Sequence, residues 1–89
     1  MAMKKVTVNK GNMSKAVAVA TARHLLENGE QLTVAELSAL FGKQADVSPT
    51  ALIQIASNNY TPSLYVAMTL ATFLQLNVED LFEMVSVND

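Results

Sequence analysis

Apolar and polar positions alternate at both ends of this chain and recur at helical spacing between them. Near the start, Lys4-Lys5-Val6-Thr7-Val8 places Val6 and Val8 on one side, the period of a short strand over 4–8. Near the end, Met84-Val85-Ser86-Val87-Asn88 does the same with Val85 and Val87, predicting a strand over 84–88. An isolated strand leaves its backbone donors and acceptors unmet, so the two are expected to pair. The pattern leaves open whether they pair within one chain or between two copies.

Five helices are predicted between these ends. Gly11 and Asn12 break the first strand pattern, and Ser14 offers a cap for a helix over about 15–28 that stops at Asn28-Gly29. Its expected buried stripe is Val17, Val19, Ala22, Leu25 and Leu26. Thr33 followed by Glu36 forms a capping box, each side chain meeting an orphan backbone N–H of the other. Leu37, Leu40 and Phe41 give that second helix its apolar face, and Gly42 is the expected stop. Ser48 is positioned to cap a third helix with Pro49 at its first position, where a missing N–H costs nothing. Thr61-Pro62 repeats the device before a fourth helix, about 62–75, with Leu64, Ala67, Leu70, Ala71 and Leu74 at helical spacing. Asn77 and Asp80 open a short fifth helix carrying Leu81 and Phe82. The expected fold class is all-α, a five-helix domain with short terminal strands. It is read as one domain over 1–89: an arm at 1–12, a helical core at 14–82 and a tail at 83–89.

Composition narrows the picture. Eighty-nine residues suffice for one compact domain. Hydrophobic residues make up 51% and charged ones 16% of the chain, against roughly 25% charged in an average domain. That surplus of apolar surface points to a homo-oligomer. The absence of cysteine removes disulfides and thiolate metal sites and fits a reducing, cytoplasmic setting. No segment approaches the roughly 20 apolar residues of a membrane span. Lys4-Lys5 ahead of the AVAVATA run imitates a signal peptide, but the polar GNMSK stretch interrupts it.

The stretches LTVAELSALFG, VSPTALIQIASNNYTPSL and VAMTLATFLQLNVEDLF, in that order, resemble the Cro/CI-type helix-turn-helix family, also described as XRE-like or lambda-repressor-like. The likeness runs without a gap from Val47 to Phe82, through Val47-Ser48, Leu52, Ile55, Pro62-Ser63-Leu64, Leu70-Ala71 and Leu74. It continues upstream at Leu32-Thr33 and Leu37. What the resemblance implies is a repressor-like transcriptional regulator that binds double-stranded DNA as a homodimer on an inverted repeat. Its third helix would enter the major groove. The family's base-reading positions fall on Pro49, Thr50, Ile53 and Gln54, where Gln54 suits an adenine edge and Ile53 a thymine methyl. Phosphate contacts are expected from Lys4, Lys5, Lys10, Lys15, Lys43, Ser48, Ser57, Asn58 and Asn59. Asn58 occupies the place of a usual Gly and is the next best residue for a positive φ.

Three features depart from the family pattern. Val34 stands where a Gln usually opens the second helix, and Lys43-Gln44-Ala45-Asp46 reads as an insertion that lengthens a flanking helix or changes the turn. The stretch from Val47 to Val78 carries no charge, and the chain's net charge is −2. Phosphate neutralisation supplies most non-specific DNA affinity. A second reading therefore stands beside the first: a helix-turn-helix scaffold used for protein–protein contact, as in an antirepressor or regulatory adaptor, with little DNA binding.

The remaining residues carry less chemistry. His24 lacks a cysteine or carboxylate cluster, so it reads as a packing or surface residue and no metal site is expected. Glu79 and Asp80 suit the first turn of a helix, Glu83 a solvated face, and Met68 and Met84 gaps in a core or interface. With Leu64, Ala67, Ala71 and Leu74 facing inward, Tyr65, Val66, Thr69 and Phe73 are left partly outward. Val6, Val8, Tyr65, Thr69, Phe73, Val85 and Val87 are the expected self-association residues, with another regulatory protein as the alternative partner. No nucleophile–base pair, phosphate loop or cofactor motif is present, so the chain reads as non-enzymatic and cofactor-free.

Overall fold

The computed structural model describes residues 3–87. Its elements run β1 (Met3–Val8), α1 (Lys10–Asn28), α2 (Val34–Ala45), α3 (Ala51–Ala56), α4 (Leu64–Leu74), α5 (Val78–Leu81) and β2 (Phe82–Val87). Positions 1, 2, 88 and 89 of the expected arm and tail lie outside the described residues.

The all-α expectation is corrected. β1 and β2 form an antiparallel two-stranded sheet within the chain, in unbroken register from Met3 opposite Val87 to Val8 opposite Phe82. Helices still dominate, but the ribbon is an element in its own right. Its alternation puts Lys4, Val6, Val8, Phe82, Met84 and Ser86 on one face and Lys5, Thr7, Glu83 and Val85 on the other. Val6 and Val85 thus point to opposite sides. The rung nearest the helices, Val8 against Phe82, is buried. Val8 is core rather than a self-association residue, whereas Val6 and Met84 are exposed further along the same face.

The junction where the strands meet the helices is tightly bonded. The Asn9 N–H donates to the Leu81 carbonyl at 2.7 Å, and the Asn12 side-chain amide donates to the Asp80 carbonyl at 2.7 Å. Asn9 also caps α1 by accepting from the Asn12 N–H. α1 therefore starts at Lys10, ahead of the expected Ser14 cap. Its buried positions are Met13, Ala16 and Ala20, with Val17 packed at the margin. The expected stripe is rotated out: Val19, Ala22, Leu25 and Leu26 are all exposed.

α2 opens with the predicted capping box: Thr33 Oγ1 accepts from the Glu36 N–H, and Glu36 Oε1 accepts from the Thr33 N–H. It does not stop at Gly42. The residues read as an insertion extend α2 to Ala45, and Asp46 ends it in the left-handed region at φ 57°. Gly42 is needed for space instead. A Cβ there would lie 2.7 Å from the Ser48 carbonyl oxygen and 3.0 Å from Pro49 Cα. α4 starts at Leu64, capped by Ser63 Oγ rather than by the Thr61-Pro62 pair. Phe41, Leu52, Ile55, Leu70 and Leu81 meet in the centre of the core. Val66 belongs to that core, and Phe73 turns inward to stack obliquely on Phe41, centroids 5.5 Å apart. Val66 is therefore not outward, whereas Phe73 is half-buried. Met68 and Met84 fill no core gap; both are exposed.

Two predictions follow from this packing. Gly42→Ala should destabilise by about 1–3 kcal/mol, because backbone of the α2–α3 turn would have to move, and thermal unfolding measures it. The Glu36 carboxyl is held below the ordinary carboxylate range, first by the Thr33 N–H and then by the Thr33 hydroxyl. A lowered folded value contributes stability that is present above the ordinary carboxylate range and lost as pH falls through the lowered one. Glu36→Gln, which keeps the acceptor, should remove that part of the acid dependence in a pH series of melts.

Candidate nucleic-acid interface

Helical phase sorts α3 into two faces. Ala51, Leu52 and Ile55 are buried, while Thr50, Ile53, Gln54 and Ser57 form one exposed row. The expected base-reading residues are therefore brought together, with exposed Pro49 at the head of the row. Pro49 is not the first residue of the helix, which begins at Ala51 with no side-chain cap. Ser48 instead organises the preceding turn, its Oγ accepting from the Thr50 N–H at 3.2 Å.

The polar groups of this face are already joined. Ser48 Oγ lies 3.0 Å from Thr50 Oγ1, which accepts from Gln54 Nε2 at 3.2 Å. Ser57 Oγ donates back to the Ile53 carbonyl, and Asn59 Nδ2 donates to Ser57 Oγ at 3.1 Å. All these groups are exposed, so exchanging such bonds for a ligand's donors and acceptors costs little. No protein-family profile, curated protein or solved structure matches this chain. What the face can do rests on its own chemistry.

Behind the face, a buried hydroxyl sets the turn. Ser38, fully enclosed in α2, donates from Oγ to the Pro49 carbonyl at 2.7 Å. This contact and the space at Gly42 hold the turn against α2. Sequence reasoning missed Ser38, although a hydroxyl one step from Leu37 on the helix's buried side was the available signal.

The expected phosphate contacts divide. Lys10 stands over a groove of about 420 Å³ between α1 and α3, lined also by Val34, Ile53, Ala56 and Ser57. It joins the α3 face. Lys15 does not; it lines a different groove with Arg23 and Leu76 on another side of α1. Lys43 is exposed in the last turn of α2, where a cation complements the helix dipole. Lys4 and Lys5 are exposed on opposite faces of the ribbon. Thr69 donates its hydroxyl to the Tyr65 carbonyl, while Tyr65 itself is exposed and Val85 half-buried. Val87 takes part in the backbone register opposite Met3. Among the described residues, no carboxylate lies within ion-pair distance of a Lys or Arg, the single close contact being His24 with Glu30 at 3.9 Å.

Asn58 has a structural duty the sequence did not disclose. It adopts the expected positive φ, 61°. Its Oδ1 accepts the Val8 N–H at 3.0 Å, which faces away from the strand pairing and would otherwise lack a partner. The residue just after α3 therefore ties the helix to the ribbon. Asn58→Gly keeps the backbone geometry and loses the bond, while Asn58→Ala loses both. Chemical denaturation should show the alanine variant weaker than the glycine variant by about 1 kcal/mol, the cost of a left-handed non-glycine residue.

Proposed function

We propose that the protein is a sequence-specific double-stranded DNA-binding regulator that acts as a homodimer, with α2, its turn and α3 as the helix-turn-helix. The observation that supports this reading best is the row Thr50, Ile53, Gln54 and Ser57: exposed, contiguous and mixed in polarity on a short helix packed across α2. A major groove offers complementary donors, acceptors and thymine methyl groups to such a row. Gln54 and Thr50 read base edges and Ile53 a methyl, while Lys10 and the hydroxyl and amide groups of Ser57 and Asn59 hold phosphates. Two-fold symmetry asks for half-sites about 34 Å apart. The backbone contribution is modest, because the face carries one nearby cation. Affinity then depends on base contacts and on doubling through the dimer.

Binding to a random duplex pool, selected and sequenced at physiological salt, tests the reading; an enriched inverted repeat is expected. On that site Gln54→Ala should lower affinity about tenfold and relax preference at one base pair. Lys10→Gln should weaken binding to all sequences and reduce the salt slope by about 1. Unchanged affinity and preference in Gln54→Ala would remove α3 as the reader.

One observation favours a second reading. α4 leaves Leu64, Tyr65 and Met68 between 53% and 74% exposed, within a stretch free of charge. Such a face suits a protein partner. A folded protein that enriches no DNA sequence, shows no salt-sensitive binding and forms a stable protein complex would establish that reading instead.

A further inference from the structure

The outer side of α1 carries a pattern its core packing does not use. Lys15, Val19, Ala22 and Leu26 follow a four-three-four spacing, the seam of a coiled coil. All four are exposed, and Leu26, at 86%, is the most exposed large apolar side chain of the described residues. Along this seam lies a groove of about 360 Å³, lined by apolar Ala16, Val19, Leu74 and Leu76 and by polar groups that include Lys15, Arg23 and Asp80. The same helix thus holds a groove beside Lys15 and Val19 and an uncovered leucine further along, Lys15 and Leu26 being about 16 Å apart along its axis.

From this we infer that α1 is the surface on which two copies meet, antiparallel, with Val19 of each against Ala22 of the other. Leu26 of each then lies opposite Lys15 and enters the other copy's groove. The two-fold requires that if one residue meets a second, the second meets the first. Placing groove and leucine apart along one seam satisfies that condition twice and closes the pair. A parallel pairing would set Leu26 on Leu26 and leave both grooves empty.

The inference takes from the proposed function only that the protein is a homodimer, and its test needs no DNA. Sedimentation from low to high micromolar concentration should show a dimer for the native chain. Leu26→Glu, at an exposed site, should raise the dimer dissociation constant by about thirtyfold or more, with an unchanged far-UV spectrum. Because the chain has no cysteine, cross-linking reads the geometry directly. Lys15→Cys combined with Leu26→Cys should give a covalent dimer on mild oxidation, and Leu26→Cys alone should not. A monomeric native chain, a Leu26→Glu dimer as tight as the native one, or ready cross-linking by Leu26→Cys alone would each overturn the contact. A monomer that still binds its selected DNA overturns the contact and leaves the DNA reading standing. A dimer that loosens in Leu26→Glu but enriches no DNA supports the contact and removes the DNA reading.

Discussion

The close approach of the Ser48–Pro49 backbone to α2 is the constraint on which the α3 face depends. Two residues on adjacent turns of α2 create it: Gly42 by having no Cβ, and Ser38 by donating from a fully buried hydroxyl to the Pro49 carbonyl. α3 has only six residues, fewer than a helix needs to hold itself in water, so tertiary contact must hold it. Leu52 and Ile55 supply the burial, and the turn supplies the direction. The exposed row is the consequence of that clamp, since burying Ala51, Leu52 and Ile55 leaves Thr50, Ile53, Gln54 and Ser57 nowhere but solvent.

A second constraint acts at the other end of α3. Asn58 bends the chain through the left-handed region and gives its side-chain oxygen to the Val8 N–H. A two-stranded ribbon is marginal in water without support. Here its base is fixed by Asn58, by the Asn9 bond to Leu81 and by the buried Val8–Phe82 rung. Ribbon and α3 thereby share one anchor, so displacing either disturbs the other.

What could be read from the sequence was what local physics decides. The Thr33–Glu36 box needs only neighbouring groups, and its geometry forms as the spacing predicts. The α3 face follows from strong contrast between Leu52 or Ile55 and their polar neighbours. α1 offered no such contrast: Ala16 to Ala20 is apolar all round, so periodicity cannot choose a face, and packing against α4 and α5 chose Met13, Ala16 and Ala20. Its start was equally open, with Asn9 and Ser14 both good caps, until the long-range bonds of Asn9 and Asn12 decided. Gly42 reads as a helix stop from its neighbours alone. Its real role, close approach to a segment several residues on, is invisible without the fold. The same holds for Phe73, which one helical period places outward and Phe41 draws in.

The ambiguity of α1 is itself informative. A helix apolar on one stripe is accounted for by one core; apolar positions off that stripe ask for a second surface to cover them. α1 presents Met13, Ala16 and Ala20 to its own fold and Val19, Ala22 and Leu26 to solvent. Those two stripes lie on different sides of the same helix, so covering one does not disturb the other. Lys10 and the groove shared with α3 lie along a third line, apart from Lys15 and Val19. A self-contact through the Val19–Leu26 seam would leave that groove, and the α3 row beside it, open to a ligand. The feature that blurs the reading of α1 from sequence is the same one that leaves a single helix presenting a core stripe, an exposed apolar seam and the edge of the α3 face at once.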